Sequence, residues 1–146
     1  MCPKSHSSAR YELSIGKHTE AQSSSGIIVS TGLGSTGWFR SILAGARGIA
    51  AHVGNKIAPT TNSRQDSFAW EADYLYFSVR EPWPSKTSSA ETTFGKVTRK
   101  KPLRLTSQMP ENGVLFSDGI ENDFVEFNSG TSAMITVAEK KGCLVA

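Results

Sequence analysis

The sequence predicts a mainly β domain, sandwich-like, with one principal helix. Three observations carry that prediction. Most apolar segments are short and alternate with a period of two, bounded by turn residues. A single segment carries the i, i+3, i+4, i+7 spacing of an amphipathic helix. Strand and helix patterns do not alternate along the chain as a parallel α/β sheet requires, so the strands are expected to pair antiparallel.

The elements follow in order. "MCPKSHSSAR" lacks the apolar stretch of a signal peptide, and residues 1–9 read as a flexible tail ahead of a domain covering 10–146. "RYELSIG" places Tyr11, Leu13 and Ile15 on one face of a half-buried strand. "GIIVST", residues 26 to 31, is a β-branched run suited to a strand buried on both faces. A glycine-rich turn follows, where Ser35 or Thr36 can cap a helix. Phe39, Ile42, Leu43 and Ala46 form the apolar stripe of that helix, and Gly48 is a plausible stop. "HVGNKIAPTTNSRQD" is loop-like in composition. "DYLYFSVRE", "KPLRLTS", "GVLFSDG", "DFVEFNSG" and "SAMITVAEKKG" then read as strands, for six or seven in all. "EPWPSKTSSAETTFG", residues 81 to 95, has two prolines and many hydroxyls and reads as a mobile loop.

Composition narrows the function. The 146 residues suit one domain, and 38% hydrophobic with 20% charged residues supports a folded core. A net charge of +3 does not by itself point to nucleic acid. No apolar run approaches the roughly 20 residues of a membrane span. Cys2 and Cys143 stand at opposite ends and form no redox or metal spacing, which favours a reducing, cytoplasmic setting, with the mitochondrion open to a eukaryotic chain. His6, His18 and His52 are far apart, so no metal cluster is expected.

The chemistry centres on Gly32-Leu33-Gly34-Ser35-Thr36-Gly37, a literal G-x-G-x-x-G. A Rossmann site needs a βαβ unit and an acid about twenty residues on; here that position reads "NKIAPTTN". No G-K-[ST] follows, so it is not a phosphate loop of the Walker type either. What remains is a strand, a tight turn and a helix N-terminus, where backbone N–H groups and two hydroxyls can meet phosphate or ribose oxygens. The plainer reading is a glycine turn joining strand to helix, with Ser35 as a cap. Asp118-Gly119 can present a carboxylate to a ligand or simply form a turn. Lys96, Arg99, Lys100, Lys101 and Arg104 read mainly as solubilising charges on an edge strand. Trp70 and Trp83 read as core or loop anchors. No catalytic triad can be drawn from spacing.

Three ordered stretches carry a family resemblance. "SSSGIIVSTGLGSTGWFRS" resembles the second-domain motif of the NAD kinases, closest to the mitochondrial-type branch. "YFSVREP" is similar to a strand of that branch, and "FSDGIENDFVEFNSGTSAMITV" to its closing Asp-Gly and F-E-F-N-x-G segment. The resemblance implies the β-sandwich-like second domain of the NAD kinase and diacylglycerol kinase-like fold. It implies phosphorylation of the adenosine ribose 2′-hydroxyl of NAD, with NAD as substrate. It places Leu33, Thr36, Gly37, Trp38, Ser41, Asp118 and Gly119 at the dinucleotide. Ser25 stands where many members have aspartate, and Trp38 where many have tyrosine. The tryptophan keeps a stacking surface and offers an indole N–H in place of a hydroxyl. The family's Gly-Gly-Asp-Gly motif and its Asn-Glu pair are both missing. The chain therefore looks like the second domain alone, inactive by itself; ATP and Mg2+ are expected only with an N-terminal ATP-binding domain. No catalytic residue and no resident metal are expected. A homo-oligomer, dimer or larger, is expected, since the family pairs through this domain and a lone domain exposes apolar surface. Nucleic-acid and membrane partners are not expected. The alternatives are a non-catalytic dinucleotide-binding or assembly module, and a lipid or sugar kinase domain of the wider superfamily.

Overall fold

The computed structural model describes residues 2–3, 7–53, 68–117 and 123–140. The first strands form a hairpin. Strand β2 (Ala9–Ile15) follows a two-residue strand, β1 (Cys2–Pro3), and turns through Gly16-Lys17 into β3 (His18–Ser24). Gly16 has φ +64°, a conformation that favours glycine and suits a two-residue hairpin turn. The chain continues into β4 (Ile27–Ser30), a 3-10 turn over Leu33–Thr36, and α1 (Trp38–His52). The remaining strands are β5 (Leu75–Val79), β6 (Phe94–Val97), β7 (Leu103–Ser107), β8 (Gly113–Phe116), β9 (Phe124–Glu126) and β10 (Ser132–Ile135).

These strands form three antiparallel sheets, in the orders β10-β7-β2-β3, β4-β5-β6 and β1-β8-β9. The molecule is mainly β, with one α-helix among the described residues. The first two sheets bury their facing residues in one cluster. Tyr11, Leu13 and Ile15 of β2 and Leu103 and Leu105 of β7 meet Ile27 of β4, Phe77 and Val79 of β5, and Val97 of β6. The third sheet is tied to the first where the buried Ser107 hydroxyl donates to the Phe127 carbonyl, 2.6 Å away.

Several elements depart from expectation for identifiable reasons. Ten strands are present among the described residues, against six or seven expected. The unexpected β3 buries Glu20, Gln22 and Ser24, polar positions that hydrophobic alternation does not detect. Strand β4 lies at the edge of its sheet, and its central Ile28 and Val29 are half-buried rather than covered on both faces. Helix α1 runs through Gly48 to His52; Gly48 does not take the positive φ that would stop it. His52 thus belongs to the helix, and the rest of the expected loop, 54–66, lies outside the described residues. Of the stripe, only Phe39 is buried. It stacks on Tyr76 and meets Phe68 and Phe94, with ring centroids 6.1–6.5 Å apart.

The segment expected to be a mobile loop is instead fastened along β3. Trp83 N–H donates to the Ser23 carbonyl (2.8 Å), Ser89 N–H to the Ala21 carbonyl (2.9 Å), and Phe94 and Gly95 already belong to β6. Trp70 and Trp83 are 62% and 69% exposed, so neither is a core anchor. Cys2 and Pro3, within the expected tail, pair with Val114 and Gly113.

Candidate functional site

The glycine turn is built by close approach at Gly32. A Cβ on Gly32 would sit 2.0 Å from the Ala69 carbonyl oxygen, so only glycine fits there. The turn's side chains then fold back onto its own backbone. The Thr31 hydroxyl accepts from Gly34 N–H (3.1 Å), the buried Ser35 hydroxyl donates to the Gly32 carbonyl (2.6 Å), and the Thr36 hydroxyl donates to the Leu33 carbonyl (3.2 Å). Neither Ser35 nor Thr36 caps α1, contrary to expectation. The N-cap is Gly37, and no side chain caps that end. The first-turn N–H groups of α1 are thus left without a side-chain partner at the positive end of the helix dipole.

A cavity of about 840 Å³ opens beside this turn. Its walls come from β4 and Thr31, from Gly34 and Thr36–Phe39, from Arg80, from Leu105 and Ile135, and from Leu115–Ser117. It therefore lies where all three sheets converge. Most of the lining is apolar, and the hydroxyls of Ser30, Thr31, Thr36 and Ser117 with the Arg80 guanidinium supply the polar groups. Trp38 is half exposed, and Arg80 Cζ lies 4.5 Å from the centre of its ring. That stacking holds the cation over the turn.

Of the residues singled out in the sequence, Thr36, Gly37 and Trp38 are brought together on the cavity wall. Leu33 and Ser41 are exposed and do not line it. Asp118 and Gly119 lie outside the described residues, directly after the lining residue Ser117. The basic group Lys96, Arg99, Lys100, Lys101 and Arg104 lies away from the cavity; Lys96 Nζ sits 3.5 Å from the centre of the Tyr74 ring. Arg80 is the residue that sequence reasoning missed. Its signal was a lone cation ending the apolar run "YLYFSV".

A second cluster lies at the edge of β3. Glu20 is buried, and its Oε1 accepts from Thr92 N–H at 2.9 Å and from Gln22 Nε2. Its Oε2 is 3.2 Å from His18 Nε2. Burial alone would raise this carboxyl, but the Thr92 amide, His18 and Gln22 together hold it below the ordinary range. The Tyr11 phenol, bonded to the Ser24 hydroxyl at 2.8 Å, is pushed up to about 12 by burial.

No family model matches the chain, and no curated protein matches it.

Proposed function

We propose that this chain is the dinucleotide-binding portion of an ATP-dependent NAD kinase, binding NAD through the cavity beside the glycine turn and inactive without an ATP-binding domain. One observation carries the reading. Thr36, Gly37 and Trp38, which the sequence resemblance assigns to the dinucleotide, share the wall of one cavity with Arg80 and the start of α1. The cavity's volume falls in the range of small-molecule sites, roughly 300–1,000 Å³. Its chemistry suits the ligand. The Trp38 ring offers a face for an adenine or nicotinamide ring, and Arg80 with the uncapped helix start offers positive potential to the pyrophosphate. The Thr36 and Ser117 hydroxyls can serve the ribose oxygens. In this reading the chain's contribution to phosphoryl transfer is positioning: it holds the ribose while a second domain brings the metal-bound nucleotide.

Calorimetric titration of the chain with NAD tests the reading. Saturable binding is expected, with no NADP formed from NAD, ATP and Mg2+ by the chain alone. NADP should appear when an ATP-binding domain is supplied. Binding without turnover under that last condition favours the non-catalytic module instead, and absence of NAD binding removes both.

A further inference from the structure

We propose that His18, Glu20 and Glu91 form a binding site for a divalent transition-metal ion of the zinc class, which fastens the 81–95 segment to the edge of β3. One imidazole nitrogen and two carboxylate oxygens, one from each residue, lie within 4.8 Å of one another. His18 and Glu20 are two apart on one strand and so share a face, while Glu91 comes from the segment that crosses that edge. Zinc bonds of about 2.0–2.2 Å place tetrahedral ligands about 3.4 Å apart. His18 Nε2 and Glu20 Oε2 already stand at 3.2 Å, near that spacing, and the Glu91 oxygen lies within 4.8 Å of both.

Charge supports a cation here. Two carboxylates converge, one of them buried, and among the described residues no lysine or arginine forms an ion pair with either. Among the described residues the only ion-pair partner of Glu20 is His18.

Gln22 gives a second, independent observation. It is 2% exposed, its amino group donates to Glu20, and its amide oxygen is buried with no hydrogen-bond partner. Gln22 shares the face of β3 with His18 and Glu20, and its amide group contacts the Glu20 carboxylate. The amide oxygen is available to a metal ion or to a metal-bound water. The mixed nitrogen and oxygen donors favour Zn2+ over Mg2+, which takes oxygen ligands.

The test is calorimetric titration of the metal-free chain with Zn2+ and, separately, Mg2+, with thermal unfolding alongside. One Zn2+ per chain is expected, with a raised unfolding midpoint and no comparable response to Mg2+. His18→Ala and Glu91→Gln alter exposed side chains and should each weaken Zn2+ binding about 10–100-fold and abolish the midpoint shift. His52→Ala, on α1, should leave both unchanged. Failure to take up Zn2+, uptake that survives both His18→Ala and Glu91→Gln, or an equal response to Mg2+ overturns the proposal.

Discussion

Strand β2 has two neighbours, and they hold it in opposite ways. On one side β7 sets Leu105 against Leu13 and Leu103 against Ile15. On the other, β3 sets Glu20 against Leu13 and Gln22 against Tyr11. Both pairings are antiparallel, and both bury the inward residues of β2. The β7 side is held by apolar contact, which is non-directional and insensitive to pH. The β3 side is held by directed bonds among Tyr11, Glu20, Gln22, Thr92, His18 and Ser24, which depend on geometry and, at Glu20 and Tyr11, on ionisation. A single strand thus joins a solvent-indifferent half of the core to a chemically responsive half.

The largest expected effect comes from breaking the apolar side. Leu13→Ala should cost about 2–5 kcal/mol in urea unfolding, because Leu13 is fully buried and the space it leaves cannot collapse easily. A loss below about 1 kcal/mol would mean that the apolar pairing is not the stronger of the two.

The polar side should answer to pH. The Tyr11 phenol has a folded pKa raised to about 12 from an ordinary 10.0, so the folded state keeps a proton that the unfolded chain gives up. Stability should therefore fall as pH rises between these values, by at most roughly 3 kcal/mol. Glu20 acts in the other direction. Its depressed carboxyl contributes stability above the ordinary glutamate range, and that contribution is lost as pH falls through the folded pKa. Unfolding measured across pH should show both limbs, and Tyr11→Phe should shrink the alkaline one, to which the raised phenol of Tyr76 also contributes.

The turn should affect ligand more than fold. Thr36→Val removes one exposed hydroxyl bond to Leu33 O and should cost little stability, yet weaken NAD binding roughly five- to hundredfold, about 1–3 kcal/mol. Trp38→Ala should weaken it as well, through lost stacking. Calorimetry on folded variants checks both, and unchanged affinity in both returns the turn to plain architecture. The smallest effect belongs to the pair of half-buried Arg80 with exposed Glu81 at 3.7 Å: Glu81→Gln should shift unfolding by less than about 1 kcal/mol.

What the sequence made legible follows the same division. Strand β2 was readable because Tyr11, Leu13 and Ile15 alternate with polar residues, and α1 because Phe39, Ile42 and Leu43 repeat at helical spacing. Strand β3 was not, because "HTEAQSS" buries its polar positions and needs the 81–95 segment to satisfy them. That segment read as a loop for the complementary reason: its hydrogen bonds go to a strand seventy residues away in sequence. The turn's place beside a cavity was legible in part. Thr36, Gly37 and Trp38 were singled out, whereas Arg80 required knowledge that β5 pairs with β4 and ends beside the turn. The caps failed because Ser35 and Thr36 both spend their hydroxyls on the carbonyls of the 3-10 turn.

Helix α1 has a consequence for motion. It is anchored to the sheets by the ring of Phe39 in its first turn, while Ile49 and the following Val53 are 69% and 75% exposed. Its later turns carry Gly45 and Gly48, each about 1 kcal/mol less favourable in a helix than alanine, and fifteen residues is close to the shortest helix that persists unaided in water. Amide hydrogen exchange should therefore be graded along it. Among its hydrogen-bonded amides, protection should be greatest in the turn that follows Phe39 and fall toward His52, so the far end can unwind and re-form while the glycine turn and the three sheets stay intact.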